Sequence, residues 1–351
     1  MIGFALEGGG AKGAYQAGAY IALIQNGIKP DIIAGTSIGS LNAALMAQGD
    51  IKKLVDLWLN TTTDIFGINS EIIEKIKHKK FTKNDIKPTY DNILSIIKNK
   101  GIDTSEYFKI IKDNVDEEKL RKSKVKFGLI TVKLDGIPKP LELTVDDIPK
   151  GKVAEYILAS CYLPVFKLNP IIDNNYYLDG GFYNNVPISL VQNYGCKTVY
   201  SLRIKGIGFR RNKINKDTKV IDIISRKSLG QTIIFDRESN ERNMRLGYYD
   251  ALRVIKNLDG INYYFKYKNN KYYDRIVRNV DKKVLNWLKI RYRVRTNKDL
   301  IIKVIERILV DNNVNIFNVL DIKKCIFKMK YNFLNIKDDN IKSFIKSCKL
   351  I

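Results

Sequence analysis

Ser37 is the residue on which a chemistry can be built. It stands in Gly35-Thr36-Ser37-Ile38-Gly39, after the apolar run "DIIA" and before the helix-like stretch "IGSLNAALMAQG". Strand, sharp turn and helix in that order form the setting of a G-x-S-x-G nucleophile elbow. Gly35 and Gly39 let the backbone turn tightly with no Cβ in the way. A serine hydroxyl becomes a nucleophile only when a base takes its proton, and the usual base is histidine. The chain has one histidine, His78, in the lysine-rich "KIKHKKFTK", which reads as a solvated helix face. Either the base is something else or Ser37 is not a nucleophile.

Two further elements bear on this. In "EGGGAKGAYQAG" a glycine-rich turn follows one strand and opens a helix. Gly8, Gly10 and Gly13 fit the dinucleotide pattern G-x-G-x-x-G, with Asp31 about 20 residues on. Asp31, however, opens the second strand, whereas a ribose-binding acid belongs at its end. The other use of such a turn is an anion hole, because bare N–H groups converge there and the helix dipole favours negative charge. In acyl transfer that charge is the oxygen of the tetrahedral intermediate. The N–H of Ile38 would be a further donor, and Lys12 adds a nearby cation. In "YYLDGGFYNNVP", Asp179 ends a strand before Gly180-Gly181. Alone, that is an ordinary D-G turn.

Taken together, "EGGGAKG", "GTSIG", "ASCYLPVF" and "DGG", in this order, resemble the patatin-like phospholipase family in its bacterial form. The resemblance implies a three-layer α/β/α fold with a mostly parallel central sheet. It implies a lipid acyl hydrolase that uses a Ser–Asp dyad without histidine, metal or cofactor. Carried over, Ser37 is the nucleophile, Asp179 the proton acceptor, and Gly8, Gly9 and Gly10 frame the oxyanion hole. Lys12, Gly13, Gly35, Gly39, Gly180 and Gly181 complete the motifs. The match runs well from Met1 to about Gln192 and more loosely to about Lys256, where "LGYYDAL" is similar to a segment that follows the core in bacterial members. Glu7 departs from the aspartate that many members carry there. Little is expected of it, since the donors of that turn are backbone groups.

These residues need a scaffold, and the chain supplies one. Strands "IGFALE" and "DIIAGTS" alternate with helical stretches, the pattern of a parallel sheet covered on both faces. Residues 60–123 look like a helical insertion. "KVKFGLITVKL" and "KPLELTV" are strands joined by the turn "DGIP", and "KTVYSLRI" is the last expected strand. The expected organisation is a catalytic domain over 1–205, a helical segment over 206–256 packed on it, and a basic, mainly helical extension over 257–351.

The 351 residues are 45% hydrophobic and 28% charged, as in an ordinary globular chain. No run approaches the roughly 18 apolar residues of a membrane span, and no signal peptide is evident. The expectation is a cytoplasmic protein that works at a membrane surface. Cys161, Cys196, Cys325 and Cys348 show no metal-ligand spacing, and no carboxylate cluster has the form of a calcium loop. The net charge of +24 is lopsided: 24 basic and 22 acidic residues to Gln192, then 37 basic and 15 acidic from Asn193. That +22 points to a polyanionic partner, an anionic membrane surface ahead of nucleic acid. The aromatic residues of Tyr263–Tyr273 and Trp287, interleaved with basic ones, are expected at such an interface. The alternative to a hydrolase is a non-catalytic protein of the same fold that binds lipid surfaces or nucleic acid.

Overall fold

The computed structural model describes residues 1–63, 101–331 and 335–349. They form two compact units, Met1–Tyr248 and Tyr249–Ile351. His78 and most of the expected insertion lie outside the described residues.

In the first unit the elements run β1 (Ile2–Leu6), α1 (Ala14–Gln25), β2 (Ile32–Thr36), α2 (Ile38–Ala47) and α3 (Ile51–Asn60), then α4 (Ser105–Asn114) and α5 (Glu117–Lys122). There follow β3 (Lys126–Asp135), β4 (Ile137–Thr144), α6 (Val153–Ser160), β5 (Tyr176–Asp179), α7 (Ile188–Asn193), β6 (Thr198–Arg203), β7 (Lys219–Ile224) and α8 (Arg237–Ile255). The sheet order is β4-β3-β2-β1-β6-β7, with β5 paired to β3 off this path. β1, β2, β3, β6 and β7 run parallel to one another, while β4 and β5 run antiparallel to β3. This is the expected mostly parallel sheet flanked by helices. β1 and β2 are apolar along nearly their whole length because both faces of a central parallel strand are covered. Ala5 packs in a cluster with Ile188, Leu190 and Val191 around α7. On the opposite side of the pleat, Phe4 meets Tyr20 of α1 edge to face.

The sheet does not end near residue 205. β7 extends it by one strand, beyond a loop of basic and polar residues that hides the continuity in the sequence. The first part of α8 crosses α1 at two close backbone approaches, Gly18 against Met244 and Gly247 against Tyr15.

β3 determines where the chemistry can sit. Its first half pairs with β2, ending at Thr36 opposite Ile130. Its second half pairs with β5, ending at Asp179 opposite Thr131. The two strands approach from opposite directions along one edge of β3 and stop at consecutive positions, so the residues at their ends meet.

The second unit has β8 (Tyr264–Phe265) paired with β9 (Val319–Leu320). Its helices are α9 (Asn270–Ile276), α10 (Lys282–Tyr292), α11 (Asn297–Asp311), α12 (Ile322–Lys330) and α13 (Asp339–Ser347). Most of the aromatic stretch expected at an interface is core instead. Tyr263, Tyr264, Phe265 and Tyr273 are 1%, 1%, 0% and 0% exposed, and most of them join Leu300, Ile305 and Phe344 in one cluster. Interleaved basic and aromatic residues place alternate side chains inward and outward, so the pattern was that of a half-buried segment. Of the residues singled out there, Tyr267 and Trp287 do stand out, at 50% and 44% exposed.

Candidate active site

Ser37 links β2 to α2. Its backbone has φ 55 and ψ −134, a region that non-glycine residues avoid and that costs about 1–3 kcal/mol. The surroundings hold it there on both sides. Its N–H donates to Ser160 Oγ at 3.0 Å, and the Ser160 hydroxyl in turn donates to Ile130 O at 2.7 Å. Its carbonyl accepts from both Ser40 N–H and Ser40 Oγ, each at 2.7 Å. The flanking glycines are needed for space. A Cβ on Gly35 would lie 1.9 Å from Gly39 O, and one on Gly39 2.6 Å from Leu6 O. The turn therefore closes only with glycine at both ends.

Ser160 occupies the gap between the ends of β2 and β5, bridging the Ser37 N–H to the Ile130 carbonyl. Ser160→Ala would leave a half-buried N–H and a buried C=O without that partner, at about 1–3 kcal/mol. We expect the Ser37 backbone to relax, turnover to fall about 10- to 100-fold and KM to change little, while Ser160→Thr retains more activity. Steady-state kinetics beside a thermal melt tests this. An unchanged kcat in a folded Ser160→Ala variant would show that the elbow does not need the bridge.

Asp179 is 4% exposed. Its N–H donates to Tyr162 O at 2.8 Å, and its Oδ1 accepts from Gly181 N–H at 2.7 Å. Burial pushes its carboxyl up from 3.8 to about 6, against the opposing pull of hydrogen bonds from the Ser37 side chain and Gly181 N–H. Gly180 fits only because it has no side chain: a Cβ would lie 2.2 Å from Ile130 O. The structure thus brings Ser37 and Asp179 together, hydroxyl toward carboxylate.

The glycines of the first turn differ in what they do. Gly8 N–H is engaged with Asn185 O at 3.1 Å and Ala11 N–H with Thr232 O at 2.8 Å. Among the described residues Gly9 and Gly10 N–H have no hydrogen-bond partner, nor does the N–H of Ile38 at the start of α2. Gly8 lies against the elbow, where a Cβ would come 2.9 Å from Ser37 Cβ. Gly13 makes room for the Trp58 ring, 2.5 Å from where its Cβ would be. That packing role removes the need for a nucleotide to explain the glycine pattern. Lys12 is turned toward the loop after β6, its Nζ 3.4 Å from Lys205 O. Desolvation lowers its pKa, and the Glu7 carboxylate partly offsets this.

Several residues that sequence reasoning passed over complete the site. Cys161 is a buried neighbour of Ser37 and Asp179. Tyr107 donates its O–H to Cys161 Sγ at 3.2 Å, and Ser40 Oγ lies at 3.9 Å. Burial, reinforced by the Asp179 charge, pushes the thiol up to about 12, so it is a neutral wall. Asn185, 1% exposed, donates to Gly8 O at 3.1 Å and so ties the first glycine turn to the segment after Asp179. Glu7, 0% exposed, accepts from Ile204 N–H at 2.6 Å, Lys205 N–H at 2.8 Å and Arg210 at 3.0 Å. The position before the glycines is therefore an anchor for a loop nearly 200 residues away. Its place at the end of an apolar strand was the one available signal, a charge where a core residue is expected. Ile38, Leu41, Leu57, Trp58, Tyr107 and Phe235 line a narrow apolar crevice with room for about one water molecule. No cluster of His, Cys, Asp and Glu suited to a metal ion occurs among the described residues.

The chain is 27% identical over 210 residues to patatin-like phospholipase domain-containing protein 7 of Rattus norvegicus, covering 58% of this chain and 13% of that protein. It is 29% identical over 211 residues to lysophospholipase NTE1 of Kluyveromyces lactis, covering 60% of this chain and 13% of that one. The chain therefore spans little more than a tenth of the length of these curated relatives. Among solved structures, VipD from Legionella pneumophila aligns with a TM-score of 0.39 and 13% identity over 98% of this chain and 83% of that one. The family model of the patatin-like phospholipases matches residues 4–191, more than half of the 351, and the chain belongs to that family.

Proposed function

We propose that this chain is a serine lipid acyl hydrolase, cleaving ester-linked fatty acids through a Ser37–Asp179 dyad. The observation that carries the reading is the convergence of β2 and β5 on β3, which sets a strained serine beside a buried carboxylate of raised pKa. The Ser37 hydroxyl attacks the ester carbonyl and its proton passes to Asp179. The oxyanion of the tetrahedral intermediate is held by the N–H groups of Gly9, Gly10 and Ile38. Collapse expels the alcohol, which takes the proton from Asp179 and leaves acyl-Ser37. Water then attacks the acyl carbonyl and gives its proton to Asp179, which passes it to Ser37 Oγ as the acyl–Oγ bond breaks, so that the fatty acid departs and the dyad is restored. A carboxylate of ordinary pKa is a weak base for a hydroxyl; desolvation raises its basicity. Relatives named as lysophospholipases favour a phospholipid with one acyl chain as substrate.

The test is mass spectrometry of a mixed lipid extract incubated with the wild-type chain and with Ser37→Ala. Release of fatty acid with consumption of one lipid class, by the wild type alone, is the expected result. Identical extracts would refute the reading.

The base must be ionised, so protonation switches the site off. We expect kcat/KM to rise with pH through the Asp179 pKa of about 6 and to level off above it. A pH–rate profile on a soluble ester measures this. Full activity at pH 4.5 would contradict the role of Asp179.

The partner of the basic second unit is proposed to be an anionic membrane surface. Among the described residues no helix is long and apolar enough to cross a membrane. Exposed Trp287 and Ile290 on α10, with Arg291 stacked over Trp287, are the apolar and cationic groups such a surface favours.

A further inference from the structure

The loop joining β6 to β7 presents apolar side chains to solvent. Ile207 is 91% exposed, Phe209 55% and Ile214 47%. Between them and around them stand Lys205, Arg210, Arg211, Lys213 and Lys216, with no acidic residue from Ile204 to Lys216. Exposed single apolar residues are common, but a cluster of them within a cationic fringe marks an interaction site.

The loop is not loosely held. Its start is fixed by the Glu7 carboxylate, through Ile204 N–H at 2.6 Å and Lys205 N–H at 2.8 Å. Its middle is fixed by the segment after Asp179. Phe209 N–H donates to Gly181 O at 2.9 Å, and Asn185 N–H to Phe209 O at 2.6 Å. Further along, Arg211 N–H donates to Asn184 Oδ1 at 3.2 Å and Asn215 N–H to Gln192 Oε1 at 2.7 Å. A backbone tied at this many points aims its side chains. Ile207 and Phe209 point outward while the peptide groups on either side grip the two turns that frame the dyad. Beside them Phe182, directly after Gly180-Gly181, is itself 44% exposed.

We propose that this loop is a lipid-surface contact: Ile207 and Phe209 insert among lipid chains, and the surrounding lysines and arginines engage anionic headgroups. The proposal rests on the lipid-ester reading, and adds to it a surface on the catalytic unit itself, separate from the basic second unit. Charge complementarity favours an anionic aggregate, since the fringe is entirely cationic. The apolar residues at its centre favour lipid over nucleic acid, which offers phosphates but no apolar depth. Because the loop is bonded to Glu7 and Gly181, its immersion would hold the mouth of the site against the surface from which a lipid must be drawn.

The test needs no turnover, so its failure is separate from failure of the hydrolase reading. All four native cysteines are buried, so Ile207→Cys in full-length Ser37→Ala protein offers one accessible thiol for an environment-sensitive fluorophore. Ile137→Cys, 85% exposed as Ile137 and on the opposite edge strand of the sheet, is the control. The probes are vesicles of phosphatidylcholine, with and without phosphatidylglycerol. The label at 207 is expected to shift to shorter wavelength with the anionic vesicles and the label at 137 to stay unchanged. Replacing both side chains, Ile207→Ser with Phe209→Ser, is expected to weaken vesicle binding about tenfold or more. An unshifted label at 207 while the protein co-sediments with vesicles would overturn the proposal. So would an equal shift at 137, an equal shift with RNA, or no vesicle binding at all.

Discussion

Ser37→Ala and Asp179→Asn are each expected to lower ester hydrolysis about 10,000-fold or more, the scale on which members of a catalytic unit fail when removed. His78→Ala is expected to leave it intact. The two dyad variants should differ in stability. The Asp179 carboxyl binds its proton more tightly in the folded chain, at about 6, than at its ordinary 3.8. The folded state therefore carries a penalty that grows as pH rises between those values and is complete above the higher one. Asparagine removes the charge and still accepts from Gly181 N–H. At pH 8, Asp179→Asn should therefore be more stable than wild type, by up to about 3 kcal/mol. An inactive yet stabilised variant separates a lost base from a lost fold. Thermal melts with ester assays decide it. Activity in Asp179→Asn, or its loss in a folded His78→Ala, would require another base.

Gly8→Ala is expected to be more damaging than Gly9→Ala, with turnover falling about 1,000-fold because the nucleophile itself is displaced. The new Cβ would meet Asn185 Oδ1 at 2.4 Å, Ser37 Cβ at 2.9 Å and Thr36 O at 3.0 Å. None of these is free to retreat. Ser37 is pinned by Ser160 and Ser40, Thr36 belongs to β2, and Asn185 is buried and bonded to Gly8 O. The elbow itself must move. Gly9→Ala is milder. Its φ of 165 is extended backbone, and its Cβ would press on Ile204 Cδ1 at 2.8 Å, the tip of a side chain that can rotate. That variant should fold and lose about 100-fold through displacement of its N–H. Ester turnover beside circular dichroism measures both. Equal activities would mean that Gly8 does not press on the nucleophile.

The parts of the fold that could be read directly were those set by local patterns. β1 and β2 are apolar runs ending at glycines, and Ser37 and Asp179 each follow a strand and precede a glycine-bearing turn. The pairing of Ser37 with Asp179 came from resemblance to a family, because the register of β2 and β5 on β3 joins segments far apart in the chain, Thr36 with Ile130 and Thr131 with Asp179. Ser160 lay inside a motif that was noticed, yet its bridge to Ser37 N–H depends on where α6 ends in space. Glu7 was discounted because nearby donors are backbone groups. Its partners are residues 203–210, and no local pattern announces them. Tyr263–Tyr273 misled for a related reason: aromatic residues among lysines describe both a wet interface and a half-buried segment, and only the packing around Leu300 and Ile305 distinguishes the two. β7 was missed because the loop before it is long and basic, and its bonds to Asn184, Asn185 and Gln192 are again tertiary.

The central claim is that Ser37 is made nucleophilic by Asp179, and the most direct measurement is covalent labelling with a fluorophosphonate, followed by mass spectrometry of the digested chain over a range of pH. The expected result is one adduct, on Ser37, formed at a rate that rises with pH through about 6 and nearly vanishes in Asp179→Asn. An adduct on another residue, or labelling of Ser37 at the wild-type rate in Asp179→Asn, would contradict it.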